Sequence, residues 1–219
     1  MALDTLWGEL VFTASRLRAR TALAPQAEVF AELTERTERE IMAQRTLWRA
    51  EVDADAGVDV ADEQLDALTD EILNDLGQVD RVNAAPRRPR YLASLTRGAL
   101  LRLGLESQLK RVTPWVAALR TEPEAHLQKH AKHLEHMKRE GEAALDARGK
   151  AASDRALHRA RAIASLFEDV NAARRDTYGH LVRHAAASKL PNDWPERFFK
   201  KTSRPAGSSE GAANEPDEG

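Results

Sequence analysis

His126 and His130 stand four residues apart, with His133 three further on. His180 and His184 are also four apart, and Asp176 lies one turn before them. On a helix that spacing aims two imidazoles at one point, the geometry of a divalent metal site. Two such helices side by side would present His126, His130, Asp176, His180 and His184 to a shared ion. Asp176 could equally orient an imidazole through its second nitrogen. Against this, no His-Glu-x-x-His or Glu-x-x-His pair occurs in the chain, so neither the zinc-protease pattern nor that of di-iron bundles is met. The first group also sits among Lys129, Lys132 and Lys138, which read as a solvated face. Surface histidines are therefore the expectation, with a divalent metal as the alternative and no other cofactor implied.

A second set, Asn171, Arg174 and Tyr178, continues an apolar helical stripe and should face inward or into a cleft. A buried Asn usually sets helix register, and a buried Arg needs a carboxylate or a ligand anion. Glu168, Asp169 or a more distant acidic helix could supply the carboxylate. An anionic small-molecule site between helices is the functional reading of the same residues.

Charge is more unevenly placed than any other property of the chain. Residues 51–80 hold eleven acidic side chains and no Lys or Arg, whereas residues 81–111 hold eight basic ones and one acid. Asp59, Asp62, Glu63, Asp66 and Asp70 fall on one helical face and repel one another unless cations oppose them. Arg90, Arg97 and Arg102 could answer them within the molecule. Alternatively, Asp62, Glu63, Asp66 and Asp70, with Arg87, Arg88 and Arg90, form a docking surface for another protein or a second copy. The basic run, with Arg148, Lys150, Arg155, Arg159 and Arg161, could also meet nucleic-acid phosphates. Only Tyr91 interleaves the first basic run, and no DNA- or RNA-binding signature appears.

Absences narrow the chemistry further. The chain contains no cysteine, which excludes disulfides, thiolate metal sites and thiol nucleophiles. It suits a reducing compartment, and a cytoplasmic location is expected. No apolar run approaches the roughly 20 residues that span a bilayer, and the acidic, base-free N-terminus does not read as a signal peptide. Abundant Ala and Arg suggest GC-rich, bacterial coding. No Gly-rich phosphate loop or catalytic triad is evident. Gly98 and Gly104 lie within a helical pattern and should mark close helix packing.

The elements that must position these groups are helical. Ala, Leu, Glu and Arg dominate, and no alternating β-branched run occurs. The pattern predicts an all-α bundle of about six helices over residues 1–200, followed by a disordered tail over 201–219. The first helix runs from about Asp4 to the break at Pro25. The second runs to about Val52, with a stripe of Phe30, Leu33, Thr37, Ile41, Trp48 and Val52. A loop follows at 53–57, an acidic helix at 59–79, and a linker over 83–89. The fourth helix covers 90–111, a fifth runs from about 123 to Arg148, and after Gly149 a sixth spans 152–188 with two apolar stripes. Trp194, Phe198 and Phe199 should pack back as a short turn. A division into two subdomains would fall near 81–90 or 112. These features favour a non-enzymatic helical interaction or assembly module, prone to form homo-oligomers, over a metal-binding bundle or a nucleic-acid-associated protein.

Overall fold

A computed structural model describes residues 2–82 and 85–200, and the expected tail over 201–219 lies outside them. The described residues are overwhelmingly helical and contain no strand. None of their helices is long and apolar enough to cross a membrane. The chain divides into two compact units, one built from residues up to 41 and from 164 onward, the other from residues 42–163. Both split points expected from the sequence, 81–90 and 112, lie inside the second unit.

In the first unit, α1 (Leu3–Arg18) is followed by a 3-10 turn (Thr21–Leu23) and the opening of α2 (Ala24–Asp80). The unit continues with α8 (Ala164–Ala187) and a closing 3-10 turn (Pro195–Phe198). Leu3, Leu6, Leu10, Ala14 and Leu17 form the buried face of α1, at the 3–4 spacing of an amphipathic helix. On α8 the buried residues are Leu166, Val170, Thr177, Leu181 and Ala185. Side-chain pairs tie the three helices together. Trp7 Nε1 donates to Glu38 at 2.8 Å, Arg36 reaches Asp169 at 2.5 Å and Ser165 at 3.1 Å, and Arg174 reaches Glu9 at 2.5 Å. The final turn packs as expected, with Trp194 and Phe198 buried. Arg16 lies over the Phe198 ring and Arg20 over that of Trp194.

The second unit contains the rest of α2, then four short helices: α3 (Arg88–Leu92), α4 (Arg97–Leu100), α5 (Leu105–Val112) and α6 (Trp115–Arg120). It ends with α7 (Ala125–His158) and a π turn (Arg159–Ile163). Its core gathers Leu65, Ile72, Leu73 and Leu76 of α2, Tyr91, Leu100, Leu105, Leu109, Trp115 and Leu119 of the short helices, and Leu127, Ala131 and Leu134 of α7. The Glu51–Arg155 and Asp75–His130 pairs show that α2 and α7 run antiparallel here.

Several expectations are corrected. Residues 53–57 are not a loop, because α2 is a single helix of 57 residues. Its core-facing positions recur every seven residues: Phe30, Thr37, Gln44, Glu51, Val58, Leu65, Ile72 and Val79. That is the period of a helix seam in a left-handed supercoil. Polar Gln44 and Glu51 mask the repeat in the sequence, while neighbouring turns hold the helix through Asp53 and Gly57. Gly149 does not break α7 either, and only one stripe of α8 is buried. The π turn between α7 and α8 adds one residue to the count. Buried Leu127, Leu134 and Gly141 are spaced by sevens, as are Val170 and Thr177, but the second series is shifted by one.

The expected helix over 90–111 is instead three helices. Ala93 takes a left-handed φ of 44° and ends α3. Thr96 caps α4 through its hydroxyl, which accepts from Ala99 N–H at 3.1 Å. Gly104, at extended angles, is the N-cap of α5. Neither Gly98 nor Gly104 marks a close approach, since the space where a β-carbon would stand is open at both. The tight contact is at Gly141, where a β-carbon would come within 2.9 Å of Leu109 and 3.3 Å of Leu105.

Candidate functional site

Part of the basic run is engaged within the second unit. The Arg87 guanidinium, largely buried, bridges Glu122 at 2.7 Å and Glu124. Its hydrogen bond holds the Glu124 carboxyl below the ordinary carboxylate range. Tyr91 Oη donates to the other Glu122 oxygen at 2.8 Å, and burial first, then this bond, raises its phenol far above the usual value. Asp80 accepts from the backbone N–H groups of Arg87 and Arg88 at 2.6 and 2.9 Å, which seats the first turn of α3. The Arg88 side chain lies along Gly77. Arg97 pairs with Asp70, and Gln108 donates to Asp66 at 2.7 Å. Of the three arginines expected to answer the acidic face, Arg97 pairs with it; Arg90 and Arg102 are exposed.

Toward the middle of α2 several acids are, among the described residues, in no ion pair. A second stripe of α2, at alternating spacings of four and three, comprises Ile41, Arg45, Trp48, Val52, Asp55, Asp59, Asp62, Asp66, Thr69 and Leu73. At its C-terminal end Thr69 and Leu73 are fully buried, and Gln108 of α5 reaches Asp66 and Thr69 there. Toward its N-terminal end the cover stops. Trp48 is 55% and Val52 45% exposed. Asp55, Asp59 and Glu63 are exposed and, among the described residues, in no ion pair. The Asp62 carboxyl is raised above the ordinary range, by desolvation first and then by Asp66, Asp59 and Glu63. On α7, next to this stretch through the Glu51–Arg155 pair, Leu157 is 47% exposed. Arg148 and Lys150 of α7 and Arg159 and Arg161 of the π turn are also exposed. The four lie outside the ion pairs of the described residues.

The two histidine groups fall in different units, His126 and His130 in the second, Asp176, His180 and His184 in the first. His130 is buried, with Nε2 2.8 Å from Asp75, whereas His126 is exposed. His184 stacks on Trp194 at 5.4 Å between ring centroids, and His180 and Asp176 are exposed. Among the described residues no group of three or more His, Asp or Glu side chains could hold a metal ion.

Asn171 is exposed, contrary to the inward orientation expected. Arg174 and Tyr178 do line a cleft of about 400 Å³ in the first unit, with Glu9, Arg175, Phe199 and Lys200. The carboxylate facing Arg174 comes from Glu9 of α1, while Asp169 is held by Arg36. Glu9 could have been suspected from the sequence, since it interrupts the apolar stripe of Leu6, Leu10 and Thr13 at helical spacing. Comparison of the chain with protein-family models, curated proteins and solved structures finds no match.

Proposed function

We propose that this chain is a self-associating helical assembly module. The observation that carries the reading is the uncovered stretch of α2, where exposed Trp48 and Val52 precede Asp55, Asp59 and Glu63, exposed and in no ion pair among the described residues, and half-buried Asp62. An exposed tryptophan within a regular helical stripe is the kind of anchor that dominates protein interfaces. The complementary surface belongs to the same chain. Leu157 of α7, with Lys150 two turns before it and Arg161 one turn after it on the same side of the helix, offers one apolar contact and two cations. Both surfaces lie on one antiparallel helix pair, so a second copy related by a two-fold axis can set acidic stripe against basic flank twice over. Each exposed ion pair adds only about 0–1 kcal/mol. The charges therefore select the partner and speed encounter, while burial of Trp48, Val52 and Leu157 supplies most of the affinity.

Sedimentation equilibrium of the full chain tests this. A dimer should form in the micromolar range and weaken with added salt. Trp48→Glu, at a position that contributes little to the core, should give a monomer of unchanged helicity. The triple change Asp55→Lys, Asp59→Lys, Asp62→Lys should do the same. Mixing that protein with one carrying Lys150→Glu and Arg161→Glu should restore a mixed dimer. A wild-type chain that stays monomeric at every concentration and salt would overturn the proposal, as would a dimer indifferent to these changes.

A further inference from the structure

The wall of the cleft in the first unit holds unsatisfied polar groups. Glu9 is only 4% exposed and lines it. One carboxylate oxygen accepts from Arg174 at 2.5 Å, but Oε1 is buried with no hydrogen-bond partner. Arg174 Nε is likewise buried and unpartnered. Leaving such groups unsatisfied costs about 1–3 kcal/mol each, so a molecule that donates to Glu9 recovers that free energy.

The remaining lining restricts what that molecule is. Tyr178 and Phe199 present rings 6.3 Å apart and tilted by 42°, and Tyr178 is 41% exposed. Arg175 and Lys200 are exposed and, among the described residues, have no acidic partner. Three cations against one carboxylate leave the cleft positive. Its volume of about 400 Å³ falls within the range of small-molecule sites.

We infer that the cleft binds a nucleoside monophosphate or a heteroaromatic anion of the same build. The flat ring lies against Tyr178 and Phe199, an N–H on its edge donates to Glu9 Oε1, and the phosphate meets Arg175 and Lys200. A carboxylate accepting from a base amino group, aromatic stacking, and a phosphate on Arg and Lys are established modes of base and phosphate recognition. No covalent step is implied.

Isothermal titration calorimetry of the full chain with GMP and AMP tests the assignment. At least one should bind at one per chain with a micromolar Kd. Arg175→Glu combined with Lys200→Glu, both at exposed positions that leave the fold intact, should weaken binding by about tenfold or more. The same variant should flatten its salt dependence. Glu9→Gln, which removes the acceptor charge, should weaken it comparably. Absence of binding by either nucleotide at millimolar concentration would overturn the inference. So would binding that Arg175→Glu and Lys200→Glu leave unchanged.

Discussion

Gly57 tests the continuity of α2 directly. It is exposed, lies within the helix, and has no atom within 4 Å of the place a β-carbon would occupy. Gly57→Ala therefore meets no steric cost and gains the helix-propensity difference, about 1 kcal/mol. For a chain of this size that corresponds to about 2–4 °C in Tm. Gly57→Pro would delete the N–H that bonds the carbonyl of Asp53 and press its ring on that carbonyl, a cost of about 3 kcal/mol or more. Gly141→Ala is the internal control. It gains the same propensity, but its β-carbon meets Leu109 and Leu105 at 2.9 and 3.3 Å. Overpacking of about 1–3 kcal/mol should cancel or reverse the gain. Urea unfolding followed by far-ultraviolet circular dichroism measures all three. The expected order of stability is Gly57→Ala, wild type, then Gly57→Pro, with Gly141→Ala at or below wild type. Were residues 53–57 a loop, proline would be tolerated there and alanine would add nothing. That outcome would refute both the single long helix and its seven-residue seam.

Further expectations concern the core and the Arg87 cluster of the second unit. Trp115 is 5% exposed and meets Tyr91 edge-to-face at 5.4 Å. Trp115→Ala should cost about 3–5 kcal/mol in the same assay, and a loss below 1 kcal/mol would place the ring outside the core. Tyr91→Phe keeps the ring but leaves a buried Glu122 oxygen without its donor, so about 1–3 kcal/mol should be lost; Glu122→Gln in the same background should recover part of it. Because Arg87 depresses the Glu124 pKa, that carboxylate contributes stability above its unfolded pKa and loses it as pH falls through the lower folded value. Thermal melts should therefore show wild type losing more stability than Glu124→Gln on acidification through and below the ordinary glutamate range, and a difference independent of pH would exclude the linkage.

The helical class was legible because helix formation is local. Each residue's propensity and the hydrogen bond to the fourth residue back decide it, and a chain rich in Ala, Leu, Glu and Arg without alternating runs leaves little else to form. The acidic face of the 59–79 segment could be read for the same reason. Trp194 and Phe198 found cover, as large apolar side chains must. Other features were open until the helices packed. Glycine at 57 or 149 costs a helix only about 1 kcal/mol, less than the neighbouring contacts return, so composition alone could not tell a break from a continuous helix. Conversely, Thr96 and Gly104 sit in an unbroken leucine pattern, and it is the short helices' packing into the core of the second unit that turns them into caps. Which carboxylate answers which arginine is likewise invisible at the level of residue types. Arg174 takes Glu9 from 165 positions away, rather than Glu168 or Asp169 beside it, because distance in space and burial govern an ion pair and separation along the chain does not.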